Sequence, residues 1–352
     1  MRKKFLKIKT SFIASLPSNL RNKFDIETCY SAAYSSSLKK IVFPSTSTGE
    51  IFIFSLYQDL KVKKINVINL GKNVKPDIAI FKEKKIIVGC RDTFSPIIIN
   101  ENFEVKPLFK PDTIIYPTCF KISKLGRLFV GNLYGEPYIV SEDKIVRLPI
   151  KCSQTYDCLW LSEQRLLVSS TWENRVIYLK EIKKKWTVIN TFQIIQPYRF
   201  SPILNDNVLL TSRGWLDRPG KVHHLSISKF NKFDNKTYIP KTMPGLQKSI
   251  EIPDKMFFLK KYLPSKILSF FNFKKYTGYI NDVAWIKKDH FIVTTKHGGS
   301  LIVFDLEGKI KGYNSRLFPS ELTRFIDSRN PSSSHLFVDA YRSSIFKSNI
   351  KY

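Results

Sequence analysis

Two tryptophans, Trp172 and Trp215, stand in short polar stretches, Thr171-Trp172-Glu173-Asn174 and Arg213-Gly214-Trp215-Leu216-Asp217-Arg218. A solvent-facing indole stacks on a flat apolar surface while charged and amide neighbours bind hydroxyls or phosphate, which is the chemistry of sugar or nucleotide recognition. Similar stretches carry Arg91-Asp92, Asn132 with Tyr134, Lys296-His297 and Tyr341-Arg342. The residues expected to form one ligand surface are Arg91, Asn132, Tyr134, Trp172, Asn174, Arg213, Trp215, Arg218, Tyr341 and Arg342. A plainer reading of the same residues packs the rings between elements and pairs each Arg with the Asp beside it, as in Arg91-Asp92 and Asp217-Arg218.

Covalent and metal chemistry find less material. The chain has no GxSxG, HExxH, Walker A or Rossmann glycine pattern. Its five cysteines, Cys29, Cys90, Cys119, Cys152 and Cys158, form no CxxC pair, so they read as buried reduced thiols rather than a zinc or redox site. His223 and His224 are adjacent in an apolar stretch, where strand alternation sends them to opposite faces. No catalytic residue, metal or cofactor is expected.

The elements that position these residues recur. Seven times an apolar segment ends in a polar turn and is followed by a second apolar segment, from Ile41-Val42-Phe43 with Ile51-Phe52-Ile53 to Leu336-Phe337-Val338 with Ile345-Phe346. The steps between units are about 45, 42, 38, 42, 83 and 45 residues, close, but for one, to the ~40–50-residue period of four-stranded propeller blades. A further short strand opens each unit, beginning near residues 28, 77, 118, 157, 198, 282 and 324. The candidate ligand residues fall in the turns between second and third strands, which share one face of such a fold. The expected fold is all-β, a seven-bladed β-propeller forming a single domain over 1–352.

The clearest unit runs Asn281-Asp282-Val283-Ala284-Trp285-Ile286, Phe291-Ile292-Val293-Thr294-Thr295, then Gly299-Ser300-Leu301-Ile302-Val303-Phe304-Asp305-Leu306-Glu307-Gly308-Lys309. It resembles the repeats of WD40 and NHL propellers, in which an aspartate-containing turn follows the third strand. The last unit lacks a fourth strand, whereas Lys4 to Phe12 is an extended segment without a unit, so the N-terminus is expected to supply that strand and cover the open edge.

The long step holds the main departure from the repeat. An outer strand is expected near Thr237-Tyr238-Ile239, followed by a short helical insertion within 241–278. Apolar residues at 256, 259, 263, 267, 270 and 271 follow helical spacing, with Pro264 interrupting them. With its lysines, 253–275 has three readings: a lid over the ligand face, a stripe packed on the blades, or a peripheral membrane contact.

The chain of 352 residues carries a net charge of +29, but only 14 of its 58 basic residues are Arg. Lysines spread over strand edges discourage edge pairing, so the basic balance reads first as a solvated surface and only weakly as a nucleic-acid site. The basic N-terminus is followed by too short an apolar stretch for export, and a cytoplasmic location is expected. The sequence therefore reads as a non-catalytic propeller binding module for a carbohydrate-like or anionic small molecule, or for a protein. The alternative is a propeller hydrolase or lyase acting on a carbohydrate or lactone, with Glu27, Asp77, Asp157 and Asp282 as its acids, although Arg199 and Arg324 would share their surroundings.

Overall fold

The computed structural model describes residues 6–15, 31–71, 73–91, 95–109, 116–141, 144–212, 221–228, 241–242, 279–296, 301–314, 322–327, 331–339 and 344–351. They form seven four-stranded sheets. With β1 at Lys7–Ser15, the first sheet contains β2 (Ala33–Ser35), β3 (Lys40–Ser45), β4 (Glu50–Leu56) and β5 (Val62–Asn69). The second contains β6 (Pro76–Lys82), β7 (Lys85–Cys90), β8 (Ile97–Ile99) and β9 (Val105–Pro107). The third contains β10 (Pro117–Ile122), β11 (Leu128–Asn132), β12 (Tyr138–Ser141) and β13 (Lys144–Arg147). The fourth contains β14 (Thr155–Ser162), β15 (Arg165–Ser170), β16 (Arg175–Ile182) and β17 (Lys185–Gln193). The fifth contains β18 (Pro197–Phe200), β19 (Asn207–Ser212), β20 (Lys221–Ser226) and β21 (Lys241–Thr242). The sixth contains β22 (Tyr279–Lys287), β23 (His290–Lys296), β24 (Leu301–Asp305) and β25 (Ile310–Asn314). The seventh contains β26 (Leu322–Phe325), β27 (Ser334–Asp339), β28 (Ser344–Lys351) and, as its fourth strand, β1.

Contacts divide the chain into two compact units, Ile13–Tyr198 and Arg199–Tyr352 with Met1–Phe12. In the first unit the middle strands of the second and third sheets are apolar on both faces because a sheet lies against each. Val42, Ile51 and Ile53 pack on Phe81, Ile86 and Val88, and Phe129 and Ile139 of the third sheet pack on Leu166, Val168 and Ile177 of the fourth. Outer strands lose this cover, and β5 is exposed or only partly buried along its whole length. Each fully buried aliphatic or aromatic side chain stabilises the fold by roughly 1.5–3 kcal/mol, so these interleaved runs hold each unit together. Cys90, Cys119, Cys152 and Cys158 are buried within the first unit and form no disulfide, and burial pushes the Cys152 thiol up to about 12. Cys29 lies outside the described residues.

First strands carry a repeated irregularity: the register slips by one residue between Pro76 and Ile78, Pro117 and Cys119, Thr155 and Asp157, Ile280 and Asp282, and Leu322 and Arg324. Such a bulge re-aims the strand at its start. At the same level the next sheet approaches backbone to backbone. A Cβ on Gly131 would come within 2.5 Å of the Thr155 carbonyl oxygen, and only glycine fits there.

The second unit closes its last sheet with the N-terminal segment, as the missing fourth strand implied. The observed strand is Lys7–Ser15, while Lys4 and Phe5 of the expected segment lie outside the described residues. Ile8 is buried among Phe325, Phe337, Phe346 and Ile350, and the Phe12 ring meets Phe346 edge-on at 5.9 Å. The segment also binds the sixth sheet. Leu6 N–H donates to Lys311 O at 2.7 Å, and Asn314 Nδ2 donates to Ile8 O at 3.0 Å.

In the fifth sheet Lys241–Thr242, paired with His223 and His224, form the outer strand. The expected position near 237–239 lies outside the described residues, as does the remainder of the expected helical insertion, including 253–275, and the described residues contain no helix of that insertion. Alternation separates the two histidines. His223 is buried with Nε2 2.6 Å from Ser212 Oγ, and His224 Nε2 lies 2.7 Å from Asn207 Oδ1.

Deleting residues 1–12 is expected to lower the thermal midpoint by several degrees in scanning calorimetry, because the last sheet loses a paired strand and part of its core. An unchanged midpoint would contradict that role. Burial, aided by the charge of Lys221, holds His223 neutral with its pKa lowered to about 4. The unfolded chain takes up that proton near the ordinary histidine value of about 6.5, so stability is unaffected above this pH and falls between about 6.5 and 4. The loss reaches on the order of 3 kcal/mol at pH 4. Urea unfolding of the native protein and of His223→Gln across this window should show the step in the first and not in the second.

Candidate functional site

Five of the ten expected ligand residues, Arg91, Asn132, Tyr134, Trp172 and Asn174, lie among the described residues, all in the first unit. Arg213, Trp215, Arg218, Tyr341 and Arg342 lie outside them. The structure brings Tyr134 and Trp172 together. Tyr134 stands in the turn from β11 to β12 and Trp172 in the turn from β15 to β16, their ring centroids 6.4 Å apart and inclined at 61°. Tyr116 extends the row, 6.1 Å from Tyr134 at 73°. Tyr134 is 62% and Trp172 54% exposed, a large apolar area for two neighbouring rings to offer water.

Backbone ties hold these turns to the segments between sheets. Leu133 N–H donates to Tyr116 O at 2.8 Å, Gln154 N–H to Leu133 O at 2.8 Å, and Thr171 N–H to Gln154 O at 3.2 Å. Tyr134 and Ser153 form an isolated antiparallel bridge. Glu173 is a clamp: its Oε1 accepts from Ser153 N–H at 3.1 Å and its Oε2 from the Ser170 hydroxyl and from Arg175 Nη2. Arg175 Nη2 also donates to Lys151 O at 2.7 Å.

The two asparagines shape turns. Asn132 is buried, its Oδ1 accepting from Tyr116 N–H at 3.0 Å and Tyr134 N–H at 3.4 Å while Nδ2 donates to Glu136 O. Asn174 adopts a left-handed backbone, φ 54°, which its short amide tolerates, and its Oδ1 accepts from Gln196 N–H at 2.9 Å. Arg91 is engaged away from the rings, where Nε donates to Asp77 Oδ2 at 3.0 Å; Asp92 lies outside the described residues.

The acidic residues of the catalytic alternative are similarly engaged. In the first unit Asp77 binds Arg91, and buried Asp157 lies 3.2 Å from Lys121 Nζ. In the second, Asp282 accepts from Val283 N–H at 2.8 Å and Phe325 N–H at 2.9 Å. Its pKa is raised because burial outweighs the pull of Arg324 and Arg199. Glu27 lies outside the described residues. Beside the rings, Arg147 reaches Glu136 at 2.5 Å and holds that carboxyl below its usual range. Among the described residues, the row of rings is flanked by two ion pairs, Arg147 with Glu136 and Arg175 with Glu173.

Tyr116, Ser153, Gln154 and Glu173 complete this surface, and the sequence alone did not single out their joint role. No protein-family model and no curated protein sequence matches the chain. Among solved structures it is similar to a catalytically inactive virginiamycin B lyase from Staphylococcus aureus bound to quinupristin. That match has 13% identity and a TM-score of 0.67, and covers 97% of this chain and 99% of that one. It is also similar to the WD40 domain of Neurospora crassa Pan2, at 11% identity, TM-score 0.62, with 99% and 96% covered. A third is the WD40 propeller domain of Doa1, at 10% identity, TM-score 0.64, with 98% and 97% covered. At these identities the likeness shows the fold alone: the chain is a seven-bladed β-propeller.

Proposed function

We propose that this chain is a non-catalytic binding module and that its site in the first unit is the Tyr116–Tyr134–Trp172 row, which docks a protein segment. The observation that carries the reading is the pair of exposed rings, Tyr134 and Trp172, held by turns whose polar groups are already bonded to one another. Aromatic side chains offer large contact area at low entropic cost and are enriched among residues that dominate interface energetics. Two further observations narrow the partner. Glu136 and Glu173, in the turns that carry the rings, already pair with Arg147 and Arg175, which disfavours a small anion at those arginines. The rings are inclined to one another, which suits an inserted side chain better than the flat face of a sugar. The lyase and hydrolase alternative draws on the similar lyase fold, but Asp77, Asp157 and Asp282 are bound to cations or backbone N–H groups.

Panning a phage-displayed library of random peptides on the protein should enrich binders. Trp172→Ala and Tyr134→Ala should each weaken them by about 1–3 kcal/mol in titration calorimetry, with the thermal midpoint almost unchanged because both rings are exposed. Affinities equal to the native protein's would refute the site. Selective binding on a glycan array without enriched peptides would transfer it to carbohydrate recognition.

A further inference from the structure

Gln154 joins two turns of the row through its backbone. Its N–H donates to Leu133 O in the turn that carries Tyr134, and its C=O accepts the N–H of Thr171 in the turn that carries Trp172. The residue adopts a left-handed backbone, φ 53°, a conformation that a long side chain rarely takes and that persists only where its surroundings impose it. Gln154 is 8% exposed, and its Oε1 is withdrawn from solvent without a hydrogen-bond partner among the described residues. An unpaired buried acceptor is costly to keep. The nearby donors are already committed. Ser153 N–H and Oγ serve Glu173, the Ser170 hydroxyl serves Glu173, and Thr171 Oγ1 donates to Pro197 O.

Resting on the reading of the row as a protein-docking site, we infer that Gln154 is its polar anchor. A peptide side chain wedges between the inclined rings of Tyr134 and Trp172, and a backbone N–H of the same peptide donates to Gln154 Oε1. The rings meet only edge-on, so parting them sacrifices little contact, and the buried acceptor, once uncovered, gains the donor that the fold does not supply. The partner class is a peptide with an aromatic or large aliphatic side chain next to an unblocked amide. Proline at the position that donates is excluded because it has no N–H.

The test uses peptides enriched from the phage library, with the whole chain titrated as the native protein and as Gln154→Leu, Gln154→Glu and Trp172→Ala. Gln154→Leu keeps the approximate size and removes the acceptor, and about tenfold weaker binding is expected. Gln154→Glu keeps an acceptor of the same reach and should bind near the native level. N-methylation of the peptide backbone, one amide at a time, should weaken binding to the native protein about tenfold at one position and leave binding to Gln154→Leu unchanged there. Native-like affinity of Gln154→Leu, or an N-methyl penalty equal in both proteins, overturns the anchor while a weakened Trp172→Ala leaves the docking site standing. If Trp172→Ala also binds like the native protein, or if no peptide is enriched, the site itself fails and the anchor with it. Should Gln154→Leu unfold, the scan with the native protein decides: no amide whose methylation weakens binding means no anchor.

Discussion

Neighbouring sheets within each unit meet at the distance of one backbone against another, and a hydroxyl spans the gap. Thr46 Oγ1 donates to Pro76 O at 3.0 Å, Thr118 Oγ1 to Thr155 O, and in the other unit Thr211 Oγ1 to Asn281 O at 3.5 Å. Each bond satisfies a carbonyl freed from its own ladder where the first strand begins, and an unpaired carbonyl at that depth would be costly. The same closeness forbids a side chain on Gly131 and places a β-bulge at the head of most first strands. The candidate site inherits its geometry from these contacts. Thr155 is held by Thr118, so Gln154 directly before it, and the turns tied to Gln154, are set by the packing of the third sheet on the fourth.

This dependence explains which parts of the molecule were legible from sequence. Runs such as Ile41-Val42-Phe43 and Ile51-Phe52-Ile53 announce strands covered on both faces, and their spacing gave the sheet count. The N-terminal strand was legible because one unit lacked a fourth strand and one segment lacked a unit. The bulges were not, since one extra residue in a ladder leaves no mark in composition. The outer strand at Lys241–Thr242 was not legible because two polar residues carry no strand pattern.

The candidate site was legible by half. Trp172 and Tyr134 stood out because large rings in polar turns have few structural uses, and they are exposed and adjacent. Asn132 and Asn174 have the same composition signal and bond to nearby backbone, which a short amide does as readily as it binds a ligand. Arg91 reaches back across its own sheet to Asp77, fourteen residues earlier, a pairing that a reading of adjacent residues does not reach. Gln154 carries no pattern at all. Its interest comes from a backbone angle and from the partners it lacks.

The strand that completes the seventh sheet has a consequence for how the chain reaches this state. Asn314 holds Ile8 across a separation of 306 residues. Contacts of such range repay the entropy of closing their loop only once the intervening chain is already compact. During synthesis β1 must wait, unpaired and carrying Ile8 and Phe12, until β28 has left the ribosome. Its lysines, Lys7 and Lys9, keep that waiting segment soluble and slow its capture by other open edges.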